Sequence, residues 1–176
     1  LDAVSFSGDK LFGGPQAGLI VGKHKAIEAM RKNPIYRAVR LDKTALAGLE
    51  GTLQLILDGR GDEIPTRQML RRSADELHET AKRLAASLSE LPTFQVEVAA
   101  DRSQPGSGSA PDVFLDTWVL RVTSSRFKPD ALARELRMGE PSVFGRVQGD
   151  ALIVDPRTLL DGDEAGLIEA FQALDA

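Results

Sequence analysis

The stretch SGDKLFGGPQAGLIVGK, residues 7–23, decides how the rest of the chain is interpreted. Five of residues 7–18 are glycine or proline, a density typical of a loop with a defined backbone shape. Before this loop, the alternation in residues 1–6 predicts a strand, and after it the apolar run Leu19–Val21 predicts a second, buried strand. Because the chain starts without methionine, on a strand followed directly by a specialised loop, we expect a truncated start.

Composition indicates a globular protein of one domain or two small ones. The chain has 176 residues, 42% hydrophobic and 27% charged, which is enough for a hydrophobic core. Its net charge of −4 gives no global sign of nucleic-acid binding. The chain has no cysteine and two distant histidines, which excludes disulfides and argues against a zinc site. With no apolar run of membrane-spanning length and no visible secretory signal, we expect a cytoplasmic protein.

The segment after the loop predicts helices separated by connectors. Asp42 can cap a helix that runs to about Leu57 with leucines at helical spacing, and residues 35–41 before it are interpreted as a connector. Residues 58–64, DGRGDEI, are interpreted as a polar linker at a domain boundary.

The remaining residues predict an α+β arrangement. Ser73 and Glu76 form a capping box, and behind it an apolar stripe predicts a buried helix face. Residues 101–112 are predicted to be a flexible loop between two strands. The other predicted elements are strands at Phe94–Val98 and Phe114–Val122, a helix at Pro129–Met138, a hairpin turning at Gly149-Asp150, and a terminal helix at Glu164–Leu174.

The loop contains residue types that a pyridoxal phosphate (PLP) enzyme requires. Such an enzyme needs a lysine amine at a strand end to form a Schiff base with the cofactor. Lys10 could supply that amine, and the hydroxyl of Ser7 three residues earlier could turn toward a phosphate. Ser-x-x-Lys followed by Gly13-Gly14 is not specific by itself, however, and a surface hairpin with a solvated lysine fits the same pattern.

A second candidate site lies in a basic segment. Residues 22–43 hold seven lysines and arginines against two acids. Arg37 and Arg40, three residues apart, would share a face in a helical turn, and two guanidinium groups suit a phosphate-like oxyanion. The residues alone leave open that both arginines are merely solvated.

Four segments in order resemble the bacterial L-seryl-tRNA(Sec) selenium transferases, which are PLP enzymes. The first is residues 7–23, already quoted, and the second is NPIYRAVRLDKTALAGLEGTL, residues 33–53. The third is QPGSGSAP, residues 104–111, whose Ser107, Gly108 and Ser109 match a loop of the family, and the fourth is GRVQGDALIVDPRTL, residues 145–159. The resemblance therefore covers nearly the whole chain.

The resemblance implies an α/β fold, namely the C-terminal part of a fold-type I PLP-dependent transferase. Residues 1–60 would be the end of the large domain and residues 61–176 a small α+β domain. Lys10 would be the Schiff-base lysine, Asp9 an electrostatic partner, and Ser7 a cofactor contact. Arg37 and Arg40 would bind selenophosphate.

The family converts seryl-tRNA(Sec) to selenocysteinyl-tRNA(Sec) with PLP and selenophosphate, and it forms homo-oligomers built from dimers. Because the ring-stacking group, the acid for the pyridine nitrogen and the phosphate-binding helix precede the lysine in this family, we expect the 176-residue chain alone to be inactive. Two alternatives stay open: a related PLP lyase that acts on a small amino-sugar acid, and a non-catalytic C-terminal module for oligomerisation.

Overall fold

A computed structural model describes residues 1–106 and 108–175. These residues form two compact units. The first unit is Leu1–Gln68 with Gly106–Pro111, and the second unit is Met69–Pro105 with Asp112–Ala176. The expected assignment of residues 1–60 to a large domain and 61–176 to a small one stays a prediction.

The first unit pairs a two-stranded hairpin with a series of helices. Strand β1 runs antiparallel to β2, with Ser7 opposite Gly18 at the end where the loop joins them. Asp42 caps α3 by accepting a hydrogen bond from the Ala45 amide at 2.8 Å, as predicted. The elements are β1 (Ala3–Ser7), β2 (Gly18–Gly22), α1 (His24–Lys32), α2 (Pro34–Val39), α3 (Lys43–Leu57) and a 3₁₀ turn at Gly61–Glu63.

Two interpretations in this unit were wrong. The connector proposed at residues 35–41 contains helix α2, because the Asn33 side chain accepts a hydrogen bond from the Ile35 amide and Pro34 occupies the first helical position. The predicted strand at Leu19–Val21 exists but is not buried, since Ile20 is 48% exposed and Val21 55% exposed. The two-stranded sheet of the first unit does not cover these side chains.

The interpretation of residues 58–64 as a polar linker was also incomplete. The 3₁₀ turn lies inside this segment, and Ile64 at its end is only 3% exposed. Helix α4 (Pro65–Arg71) follows at once and begins at Pro65. The division between the two compact units falls after residue 68, within this helix.

The second unit is an antiparallel sheet packed against three helices. The strand order is β3-β4-β6-β5, and all neighbours are antiparallel. Strand β3 extends to Ser103, so the expected loop at 101–112 begins three residues later than predicted. The elements are α5 (Ala74–Leu88), β3 (Phe94–Ser103), β4 (Leu115–Ser124), α6 (Pro129–Met138), β5 (Arg146–Gln148), β6 (Ala151–Val154), a 3₁₀ turn (Pro156–Thr158) and α7 (Asp163–Asp175).

The main core lies between these helices and one face of the sheet. The predicted stripe of α5 is confirmed for Leu77, Ala81, Leu84 and Leu88, which are at most 1% exposed. Its last predicted member, Leu91, follows the end of the helix and is partly buried against the core. Leu120 and Val122 of β4 face the same core, while Val119 packs in a smaller cluster on the opposite face, as the alternation of a strand requires. Trp118 packs against the main core, and His78 stacks on its ring at a centroid distance of 3.8 Å.

A buried arginine, Arg157, makes several hydrogen bonds within the second unit. Arg157 is 5% exposed and donates to the carbonyl oxygens of Met69 (3.1 Å), Arg72 (2.9 Å) and Asp116 (2.6 Å), and to the Ser103 hydroxyl (3.2 Å). Desolvation by burial lowers the pKa of this guanidinium from its ordinary value. These bonds give the buried guanidinium hydrogen-bond acceptors.

Candidate functional site

The loop at residues 8–17 is closed by its own backbone. The Gly8 amide donates to the Ala17 carbonyl at 2.8 Å, and the Gly14 amide donates to the Gly8 carbonyl at 2.7 Å. Within this frame the Gly13 amide donates to the Lys10 carbonyl at 3.0 Å, which places Lys10 at the first position of a tight turn. The lysine is therefore carried by a loop of defined shape, as the glycine pattern predicts.

Gly13 brings this loop against the segment that precedes α4. Its φ of +80° lies in the left-handed region that glycine tolerates. A β-carbon built on Gly13 would lie 2.6 Å from Cγ2 of Ile64 and 3.3 Å from Cβ of Thr66. Glycine is therefore required both by the backbone conformation and by the close approach of residues 64–66.

Lys10 and Asp9 form a loose ion pair at the tip of the loop. The distance from Lys10 Nζ to Asp9 Oδ2 is 3.8 Å, and the two side chains are 56% and 31% exposed. An exposed pair of this kind contributes little to stability. The amine is thus accessible, and the carboxylate beside it can influence its orientation.

Lys10 lines an open cavity of about 670 Å³ within the first unit. The polar residues of its lining are Ser5, Ser7, Ser109, Lys10 and Arg67. The predicted cofactor contact Ser7 and the predicted Schiff-base lysine therefore line one cavity. Gly108 and Ser109 line it as well, whereas Ser107 lies outside the described residues.

Arg67 is a site residue that sequence reasoning did not identify. Its guanidinium lies over Gly61, where a built β-carbon would be 3.1 Å from Nε and 3.3 Å from Cζ. Nε is buried and has no hydrogen-bond partner in the described part of the chain. No spacing in the sequence distinguishes Arg67 from the other arginines, because the residues around the cavity come from three separate segments.

Arg37 and Arg40 are arranged differently from the predicted common helical face. Arg37 lies in α2, but Arg40 follows the helix as its C-terminal cap, with extended dihedral angles of φ −63° and ψ 147°. Both side chains are exposed, and neither has a hydrogen bond or ion pair to another described residue. They do not contribute to the lining of the lysine cavity. Their role as oxyanion ligands stays a prediction.

Comparison with known proteins shows which family carries this loop. The family model for L-seryl-tRNA selenium transferase matches residues 1–160. The chain belongs to the L-seryl-tRNA selenium transferase family. This membership confirms the resemblance inferred from the four sequence segments.

Individual relatives in this family match along almost the whole chain. The L-seryl-tRNA(Sec) selenium transferase of Aquifex aeolicus is 42% identical over 174 residues, and that of Geotalea daltonii is 43% identical over 178 residues. A third, from Clostridium botulinum, is 40% identical over 177 residues. Each alignment covers 99% of this chain, and the chain spans 38% of the length of each of these relatives.

A solved structure shows the same fold. The structure titled D-glucosaminate-6-phosphate ammonia-lyase superposes with a TM-score of 0.63, covering 99% of this chain and 43% of that one. At 23% identity this likeness concerns the fold alone. The expected α/β fold, that of the C-terminal part of a fold-type I PLP-dependent enzyme, is confirmed.

Among the described residues, the helices are too short or too polar to cross a membrane.

Proposed function

We propose that the intact protein converts L-seryl-tRNA(Sec) to L-selenocysteinyl-tRNA(Sec), with PLP as cofactor and selenophosphate as selenium donor. The observation that carries the proposal is the Lys10 amine, held on a glycine-closed turn and lining an open cavity with serine hydroxyls. Family membership supports the same reaction, because the relatives from Aquifex aeolicus and Geotalea daltonii bear the name of this activity.

The lining of the cavity fits PLP. Lys10 would hold the cofactor covalently, and the Ser7 hydroxyl would donate to its phosphate. PLP supplies an electron sink for negative charge at the α-carbon of the bound seryl group. The Arg67 guanidinium, whose buried Nε lacks a partner among the described residues, leaves positive charge for an anionic cofactor.

The residues of the loop and the two arginines of the basic segment have separate roles in this proposal. The Lys10 amine carries protons to and from the substrate, since the lysine is exposed at the turn and lines the same cavity as Ser7. Asp9, with its carboxylate 3.8 Å from the amine, orients the Lys10 side chain. Arg37 and Arg40 bind the oxyanion of selenophosphate from α2 and the residue that follows it.

The wider setting of the protein is part of the same proposal. We infer a cytoplasmic homo-oligomer built from dimers, consistent with a substrate used in protein synthesis. Residues 1–60 would belong to the large PLP-binding domain and residues 61–176 to the small domain.

Replacement of Lys10 tests the proposal directly. In the intact protein, Lys10→Ala should abolish both the visible absorption band of lysine-bound PLP and selenocysteinyl-tRNA(Sec) formation, because no other amine lines the described cavity. Lys23→Ala is the matched control, since Lys23 is 71% exposed and pairs with Asp2 outside the cavity. A visible band that survives Lys10→Ala would exclude this lysine as the cofactor ligand.

A further inference from the structure

The walls of the lysine cavity carry an unbalanced positive charge. Among the described lining residues there are two cations, Lys10 and Arg67, and no carboxylate. The remaining polar groups are the three serine hydroxyls, which can donate hydrogen bonds to an anion. Asp9 is the partner of Lys10, but it does not line the cavity.

Arg67 is the less compensated of the two cations. Its side chain has no ion pair or hydrogen bond with the described residues, although its Nε is shielded from solvent. A buried donor without an acceptor costs free energy, so its position needs an explanation beyond the packing of this chain. A planar guanidinium presents paired N–H donors that match a phosphate-type oxyanion.

The position of Arg67 is fixed by a glycine. The three atoms nearest to a β-carbon built on Gly61 all belong to Arg67, at 3.1 to 3.4 Å. The absence of a side chain at Gly61 lets the guanidinium lie against the backbone of the 3₁₀ turn. An alanine at this position would require the Arg67 side chain to shift by a few tenths of an ångström.

We infer that Arg67 is the phosphate-recognition residue of the lysine cavity, held in place by Gly61. The ligand is a phosphate-type oxyanion, either the phosphate of the cofactor or the phosphate of the selenium donor. The assignment of these two sources rests on the proposed function, whereas the oxyanion site itself rests on the charge and the geometry of the cavity.

Binding of inorganic phosphate tests the site without reference to catalysis. Phosphate should raise the unfolding temperature of the intact apoprotein, because a ligand that binds the folded state stabilises it. This shift should be lost in Arg67→Gln and reduced in Gly61→Ala. Arg60→Gln is the matched control and should retain the shift, since Arg60 pairs with Glu63 on the same turn and lies outside the cavity. Circular dichroism of each variant shows whether it is folded.

Two further measurements identify the source of the oxyanion. If Arg67 binds the cofactor phosphate, Arg67→Gln weakens PLP binding about tenfold or more while the binding of pyridoxal, which lacks the phosphate, is unchanged. If it binds the donor, the KM for selenophosphate rises by a similar factor and PLP affinity is unchanged. Arg67→Lys should recover only part of either effect, because an ammonium lacks the planar fork.

The inference is overturned if phosphate stabilises Arg67→Gln and Gly61→Ala as much as the unmodified protein. It is also overturned if PLP and pyridoxal binding weaken equally in Arg67→Gln with no change in donor KM, because Arg67 would then act through packing. These results are separable from a failure of the proposed function. In that case the unmodified protein forms no PLP band, while the phosphate shift still reports on Arg67.

Discussion

At the scale of single residues, Arg37 in α2 and Arg40 at its C-terminal cap are two exposed cations. Neither side chain forms an ion pair or hydrogen bond with the described residues, so binding an anion would not require breaking an existing side-chain contact. The backbone is helical at Arg37 and extended at Arg40, so the two residues do not share one helical face. If both bind the donor, they approach it from adjacent points of the chain rather than from one helical face.

We expect Arg37→Ala and Arg40→Ala each to raise the KM for selenophosphate about tenfold or more, since each removes a charge-assisted hydrogen bond. The visible band of bound PLP should be unchanged, because neither residue lines the lysine cavity. Arg31→Ala provides the control, as Arg31 lies on the neighbouring helix and pairs with Glu28 at 3.2 Å. Unchanged donor kinetics in both variants would exclude this role.

At the scale of elements, helix α5 shows how local signals start a helix that the core then holds. The Glu76 amide donates to the Ser73 hydroxyl at 3.2 Å, and the Ser73 amide donates to the Glu76 carboxylate at 2.8 Å. These reciprocal bonds satisfy two of the amides that a helix leaves unpaired at its start. The apolar stripe that follows supplies the packing against β3 and β4.

We expect Ser73→Ala to lower the free energy of unfolding by about 1 kcal/mol, the usual loss for an N-cap serine. Ser87→Ala is the control on the same helix. Its hydroxyl donates to the Arg83 carbonyl four residues earlier and caps nothing, so stability should change little. Equilibrium unfolding in denaturant measures both. Equal stability of Ser73→Ala and the unmodified chain would show that the box contributes nothing.

The capping box of Ser73 and Glu76 should also make the free energy of unfolding depend on pH. The pKa of the Glu76 carboxyl is lowered from its ordinary value of 4.5. The largest cause is the hydrogen bond from the Ser73 amide, and the next is the hydrogen bond with the Ser73 side chain. A lowered folded-state pKa means that the stabilisation is fully present above pH 4.5 and is lost as the pH falls through the folded-state value. The stability difference between the unmodified chain and Glu76→Gln should therefore shrink below that pH. A difference that stays constant through acid would contradict the assignment.

At the scale of the whole molecule, the two units differ in how much apolar surface they bury. In the described part of the first unit, the buried apolar side chains are Ala17, Leu49 and Ile64. The main core cluster and the smaller cluster on the opposite face of the sheet both lie in the second unit. On α3 the leucines at helical spacing are mostly uncovered, with Leu46 51% and Leu57 78% exposed.

Regions that bury more apolar surface unfold locally less often than regions that bury little. We expect amide hydrogen exchange of the 176-residue chain to be slowest in β3, β4 and α5, and faster in β1, β2 and α3. Mass spectrometry of peptic fragments measures this directly. Fragments from residues 94–103 and 115–124 serve as the internal reference for the protected core. Equal protection of residues 43–57 would show that the first unit is as stable as the second.

Much of the candidate site could be predicted because its signals are local or carried by resemblance. The glycines around Lys10 indicate a shaped loop, and the resemblance of that segment to a family predicts the chemistry of the lysine. Arg67 could not be found in this way. Its importance depends on the burial of Nε and on the placement of residues 5–7, 10–12, 67 and 108–109 around one cavity. Nothing in a linear pattern brings these segments together.

The sequence by itself determined the starts of helices and the alternation of strands. A cap such as Asp42 or Ser73 acts within three residues, and a strand's two faces follow from its period of two. Only the tertiary structure decided which apolar and charged groups are covered. Arg157 is buried while Val21 is exposed, the reverse of what their side chains favour alone. The physical reason is that burial depends on the partner surface, and the carbonyls around Arg157 supply acceptors that offset the desolvation of its charge.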